Sequence, residues 1–348
     1  MLENSRCDVP PTISTSVISG LSYYLPSREV SLAELSREQP DWDVQRIAAK
    51  TGISSRHIAA ETETAGDLAV AAAEKFFSTR PGARASIDYV ILCTQSPDYF
   101  LPTTACTIQH RLGLSTRCGA IDVNQGCSGF VVGLGLAKGL IETGQAGSVL
   151  LLTAETYSKY IHPDDRSTRT IFGDGAAATL IEAVGGGAPG IAVPAYATDG
   201  SGAADLIVEG GAFRERAIVQ AGGTAPSPHL HMNGQAVMAF TLREVPRIVE
   251  AALSRANTGS AEIDLFVMHQ ANAFMLETLR KKMAIEPERY WNDIASIGNT
   301  VSSTIPIALR QAVDAGRIRA GSKLLLAGFG VGLSSAAVVV EWSPAFTA

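Results

Sequence analysis

The stretch DVNQGCSGF, residues 122–130, decides how the rest of the chain is read. It sets Cys127 among glycines where the apolar run GAIDV (119–123) gives way to the helical run VVGLGLAKGLIETG (131–144). Cysteine is among the most buried residue types, so packing alone explains most of them. A cysteine at the head of a helix differs, because the unpaired N–H groups of the first turn favour its thiolate. The run SGFVVGLGLAKGL is apolar or small nearly all the way round, which predicts a helix buried in the middle of the molecule. A thiol there is poorly hydrated, and a nearby imidazole would help to ionise it.

Outward from this turn, short apolar runs alternate with helical ones. The runs YVILCT (89–94), GAIDV (119–123), SVLLLTAE (148–155), AAATLIEA (176–183), LFVMHQ (265–270), KLLLAGF (323–329) and AAVVVEW (336–342) read as strands of a sheet covered on both faces. Helical patterns occupy 64–79, 131–144, 241–256 and 272–283. This is the pattern of an α/β protein. The segment GGGAPG (185–190) is the best internal break and separates halves at 1–184 and 191–348.

Composition narrows the function classes. The chain has 348 residues, 46% of them hydrophobic, and a net charge of −6, which argues against wrapping nucleic acid. Its five cysteines, at 7, 93, 106, 118 and 127, form no CxxC pair and have no histidine at ligand spacing, so neither a disulfide framework nor a metal site is expected. Reduced thiols suit a cytoplasmic protein. The N-terminus lacks the charge and apolar pattern of an export signal, and no segment keeps enough apolar residues together to span a membrane.

The halves also resemble each other. IDYVILCTQ starts at 87 and IDLFVMHQA at 263, an offset of 263 − 87 = 176, and SVLLLTAE is answered by KLLLAGF. DVNQGCSGF is matched by DIASIGNTV (293–301). If the halves pack about a pseudo-two-fold axis, Cys127 from the first meets His269 and Asn299 from the second. Of the six histidines, only His269 ends a buried strand; His57, His110, His162, His229 and His231 lie in polar, loop-like or amphipathic surroundings.

The ordered motifs DVNQGCSGF, IFGDGAAATL, VMHQAN, SIGNTVSSTIPIAL and GFGVGLSSA resemble those of β-ketoacyl-acyl carrier protein synthase III and its relatives in the thiolase superfamily. The similarity runs from about residue 12 to about residue 343. It implies a thiolase fold with duplicated halves in five layers, αβαβα, normally as a homodimer, and the triad Cys127, His269 and Asn299. It also implies the reaction: an acyl-CoA starter is transferred to Cys127, then condensed with decarboxylation onto a malonyl thioester, malonyl-acyl carrier protein or malonyl-CoA, in fatty acid or secondary metabolite biosynthesis. No cofactor is expected beyond CoA and phosphopantetheine thioesters as substrates. The family's oxyanion donors fall on the N–H groups of Cys127 and Gly332.

Carrier contacts carry over less completely. Arg166 in HPDDRST matches the arginine set against the CoA adenine. Trp42 resembles the adenine-stacking tryptophan but stands four residues farther from KTGI than in the family pattern. Lys281 and Lys282 match basic residues that meet acyl carrier protein, whereas the family's arginine in HQANxR is here Phe274. The alternative reading is an acyltransferase that passes the acyl group from Cys127 to a hydroxyl or amine. Asn299 discriminates the two, because simple transfer forms no enolate for it to stabilise.

Overall fold

A computed structural model describes residues 14–187 and 190–343. Cys7 and positions 188–189 of the GGGAPG break lie outside the described residues. The first sheet holds β1 (Thr15–Tyr24), β2 (Tyr89–Cys93), β3 (Gly119–Val123), β4 (Ser148–Glu155) and β5 (Gly175–Val184) in the order β1-β5-β4-β2-β3. The second holds β6 (Ala195–Thr198), β7 (Leu265–Met268), β8 (Lys323–Gly330) and β9 (Ser334–Glu341) in the order β6-β9-β8-β7.

The four strands of the second order repeat four of the five in the first. In the first, β2 is parallel to β4, and β5 is antiparallel to both β4 and β1. In the second, β7 is parallel to β8, and β9 is antiparallel to both β8 and β6. The place of β3 is taken by a single parallel bridge between Phe266 and Tyr290. The helices repeat as well. In the first half α2 (Ala65–Thr79), α3 (Thr104–Arg111) and α4 (Gly129–Glu142) correspond in chain order to α5 (Gly234–Arg255), α6 (Ala273–Lys282) and α7 (Thr304–Asp314) in the second. A further helix, α1 (Val44–Thr51), precedes α2.

Strand alternation sorts the side chains into layers. Val90, Leu92, Leu150 and Leu152 pack outward against Leu68, Ala72 and Phe76 of α2. Their neighbours Ile91 and Leu151 point the other way, onto Phe130 and Leu134 of α4 and Ile305 and Leu309 of α7. The same central layer receives Val267, Leu324 and Leu326 of the second sheet, whose opposite face carries Phe266 and Leu325 against Ile248, Val249 and Leu276 of α5 and α6. Five layers result, helix, sheet, helix, sheet, helix, and α4 is buried at the centre as its composition requires.

Two expectations change. The run GAIDV is not covered on both sides; β3 is the edge of its sheet, and Ile121 is 43% exposed. β1 is a long strand that its sequence, TSVISGLSYY, hides behind small polar residues. Ser16, Ser19 and Ser22 are nevertheless buried, because each hydroxyl donates within the fold, to Glu142 Oε1, Leu180 O and Ala72 O.

The halves meet most tightly where β8 crosses the turn before α4. A Cβ on Gly328 would lie 2.5 Å from the Cys127 carbonyl oxygen and 2.6 Å from Ser128 Cα. Both are backbone atoms and cannot swing aside. Gly328→Ala is expected to lower unfolding stability by about 2 kcal/mol or more, the scale of overpacking a dense core. Gly139→Ala, on an open stretch of α4 with nothing within 4 Å of the added Cβ, should instead raise it by about 0.5–1 kcal/mol. Denaturant unfolding of the two variants checks this, and equal effects would contradict it.

Candidate active site

Cys127 lies in the turn two residues before α4 begins, His269 directly follows β7, and Asn299 precedes the turn into α7. Cys127 and Asn299 lie in the matched segments DVNQGCSGF and DIASIGNTV of the duplicated halves, and His269 falls at the position of Cys93, the end of β2. All three side chains line one pocket of about 820 Å³, although they are only 6%, 2% and 4% exposed. Arg166, Lys50 and the half-exposed ring of Phe274 line the same pocket toward its outer end.

Asn299 is fixed by its backbone and its side chain. Its N–H donates to Ile171 O at 2.9 Å, and its carbonyl accepts from Gly173 N–H at 3.0 Å. The motif IFGDG is thus the first half's clamp on a residue of the second. Arg56, itself buried, donates to the carbonyls of Arg169 and Phe172 beneath that clamp. Asp174 of the motif accepts from the N–H groups of Ala59 and Ser158. At the side chain, Asn299 Oδ1 accepts the Val301 N–H at 2.9 Å, which commits the carbonyl end of the amide and leaves Nδ2 as a donor. This geometry requires Val301 to take φ 53°, an unfavourable value for a β-branched residue costing on the order of 1–3 kcal/mol.

His269 is held from the same turn. Its Nδ1 lies 2.7 Å from Thr304 Oγ1, and that hydroxyl donates onward to Val301 O at 3.0 Å. The hydroxyl proton being committed, Nδ1 carries the ring hydrogen and Nε2 the lone pair. Phe329 packs edge-on against the ring with centroids 5.5 Å apart.

The protonation states depart from the expected thiolate. Burial pushes the Cys127 thiol up to about 12, against hydrogen bonds from the backbone of Val331 and of Cys127 itself. Burial also lowers His269 to about 3. Desolvation exceeds the pull of the helix terminus, so the resting site holds a thiol and a neutral imidazole. The second backbone donor at the sulfur is Val331, not Gly332. Gly330 ends β8 with φ 156°, where an added Cβ would sit 2.8 Å from Cys127 Sγ, and this close approach presents the next N–H, one residue earlier than expected.

The outer contacts divide. Arg166 lines the pocket at the start of a short helical turn capped by Asp165. Trp42 does not join it among the described residues: it precedes the α1 cap Asp43, while Ile47, Lys50 and Thr51, on one face of α1, line the pocket. Lys281 and Lys282 are exposed two turns along α6 from Phe274, and Lys281 pairs with Glu277 at 3.2 Å. Sequence reasoning missed Lys50, whose Nζ sits 5.6 Å from the Phe274 ring centroid. It also missed Glu155, a fully buried carboxyl raised to about 8 by burial. Glu155 accepts from Gln95 N–H, Ser96 Oγ and, across the halves, Ser302 Oγ. Cys93 is buried and its thiol donates to Gln125 O, shaping the loop that carries Cys127. Among the described residues no group of three or more His, Cys, Asp or Glu is placed to hold a metal ion, and no helix is long and apolar enough to cross a membrane.

Comparison with known proteins agrees with this architecture. Residues 121–209 match the family described as 3-oxoacyl-[acyl-carrier-protein] synthase III, and residues 253–342 match its C-terminal domain. A β-ketoacyl-[acyl-carrier-protein] synthase III of Streptomyces coelicolor is 38% identical over 94% of this chain and 97% of its own length. One from Neisseria meningitidis is 34% identical over 93% and 98%. A crystal structure of a 3-oxoacyl-(acyl-carrier-protein) synthase III superposes with a TM-score of 0.89 at 49% identity, covering 94% of this chain and all of that one. The chain therefore belongs to the β-ketoacyl-acyl carrier protein synthase III family, condensing enzymes of the thiolase fold.

Proposed function

We propose that this condensing enzyme loads an acyl group from an acyl-CoA onto Cys127 and then joins it to a malonyl thioester with loss of carbon dioxide. The observation that carries the reading is the convergence of Cys127, His269 and Asn299 on one pocket. Because thiol and imidazole rest neutral, the proton leaves sulfur for His269 Nε2 as sulfur attacks the thioester carbonyl, and passes on to the departing CoA thiolate. The N–H groups of Cys127 and Val331, which hydrogen-bond toward the sulfur, would donate to the carbonyl oxygen that becomes negative in this step.

The malonyl thioester then meets the amide of Asn299. Its Nδ2 donates to the thioester oxygen as the carboxylate departs, and His269 donates beside it when Nε2 carries a proton. The enolate carbon attacks the acyl group on Cys127, and the expelled thiolate takes up the one proton that the condensation consumes, drawn from solution by way of His269 Nε2. The commitment of Asn299 Oδ1 to Val301 supports condensation over simple acyl transfer, because it readies a donor for which transfer to a hydroxyl has no use. At the pocket's outer end, Lys50 and Arg166 supply the positive charge that a CoA or phosphopantetheine phosphate needs.

Two outcomes are expected. Asn299→Ala should leave transfer of the acyl group to Cys127 nearly intact while condensation falls about 10²-fold or more. Intact-protein mass and product formation separate the two half-reactions, and equal loss in both would show that Asn299 positions the whole site. The second outcome concerns the carrier. Phe274 sets an exposed ring where the family has an arginine, so malonyl-CoA should compete well with a standard malonyl-acyl carrier protein, and Phe274→Arg should shift preference toward the carrier. A strong, salt-sensitive preference for the carrier that Phe274→Arg does not alter would overturn this.

A further inference from the structure

Phe172 lines the catalytic pocket and also a second cleft, of about 460 Å³, in whose walls Cys127, His269 and Asn299 take no part. Four cationic side chains line this cleft, Arg28, Arg56, Lys159 and Arg169, against two carboxylates, Glu38 and Glu61. The condensation has no use for that charge.

Ion pairing accounts for only two of the four cations. Arg169 donates to Glu38, and Arg28 pairs with Glu34 at 2.9 Å. Lys159 Nζ instead donates to the carbonyls of Ala60 and Glu61, at 3.2 and 2.7 Å, and among the described residues it has no carboxylate at ion-pair distance. Arg56 has none either, although it is only 5% exposed. Its Nη1 donates to the carbonyls of Arg169 and Phe172, which leaves the donors of Nε and Nη2 uncommitted among the described residues, on a side chain that lines the cleft. The buried carboxyl of Asp174 attracts Arg56 and Lys159 only from a distance, since it is taken up by the N–H groups of Ala59 and Ser158 and by the Ser158 hydroxyl.

A guanidinium withdrawn from water without a paired carboxylate is destabilising. Burial, and then the like charge of Arg169, lower Arg56 to about 10, as expected of a cation short of compensation. An oxyanion supplies what is missing, because the guanidinium offers a fork of parallel donors and the ammonium a point charge. We propose that this cleft is a second ligand site, in which Arg56 and Lys159 hold the phosphate-type oxyanion of a free phosphate or a phosphate ester. The site stands independently of the reading of Cys127.

The test is isothermal titration calorimetry of the full-length protein with inorganic phosphate and, separately, with ribose 5-phosphate, in chloride buffers of matched ionic strength. At least one probe should saturate a single site with a Kd of about 1 mM or tighter. Tighter binding of the ester identifies a phosphate ester as the occupant, and tighter binding of inorganic phosphate identifies the free anion. Arg56 is left in place, because it also supports the clamp on Asn299. Lys159→Ala, a change to an exposed side chain, should weaken binding about tenfold or more, the scale of a lost hydrogen bond to a charged group. Lys159→Glu should abolish it. Arg166→Ala, which removes a charge from the catalytic pocket instead, should leave it unchanged. No saturable binding of either probe up to about 10 mM, a Lys159→Glu variant that binds like the unaltered protein, or loss of binding in Arg166→Ala would each overturn the proposal.

Discussion

The close approach of β8 to the turn before α4 is the contact on which the site depends. At Gly328 and Gly330 the second half's strand runs against the backbone and sulfur of Cys127, at separations that leave no room for a side chain. That contact seals the thiol from water and brings the Val331 N–H onto the sulfur. It also sets the end of β8 beside Phe329 and His269. Sealing raises the thiol and lowers the imidazole, so the site rests uncharged and must move its proton during attack. A thiolate kept ready would be easier to attack with, but holding a charge in so dry a place would cost folding stability.

The seam between the halves is polar at the site and apolar elsewhere. Ser302 reaches Glu155, Ser303 reaches Thr153 and Ser128 meets Ser334, each at 2.9 Å, while Asn299 is strung between Ile171 and Gly173. Hydrogen bonds of this kind are directional, so they fix one relative placement where apolar packing alone tolerates sliding. Val301 shows what that placement requires. Its strained backbone lets one residue orient the Asn299 amide through its N–H and Thr304, hence His269, through its carbonyl. Such strain persists only where the surrounding packing over-determines it.

Much of this was legible in the sequence because the duplication left parallel signals. The strands of the central sheets are continuous apolar runs, Asn299 lies in the segment that matches the one carrying Cys127, and His269 ends a buried strand, so a pseudo-two-fold packing of the halves brought His269 and Asn299 toward Cys127. What stayed hidden was written in residues whose burial contradicts their type. β1 conceals itself behind serines that the fold buries and satisfies, and Glu155 lies inside a strand run as though it were its polar end. The edge position of β3 was unreadable because GAIDV is as apolar as a covered strand. The shift from Gly332 to Val331 depends on the backbone angle of Gly330, which motif spacing does not encode. Trp42 lies before the helix whose face lines the pocket, so its spacing from KTGI did not locate the lining residues Ile47, Lys50 and Thr51.

The central claim, that sealing by β8 keeps the nucleophile a thiol until substrate arrives, is tested most directly by the ultraviolet thiolate absorbance of the free enzyme minus that of Cys127→Ser. Subtraction cancels the other cysteines. With the Cys127 thiol held near 12, well above its ordinary value, the difference should stay flat between about pH 5 and 9 and grow only in stronger alkali. A thiolate band already present at about pH 5, or one that rises with a midpoint near about pH 7, would mean that the helix terminus and His269 outweigh burial, and would contradict the account.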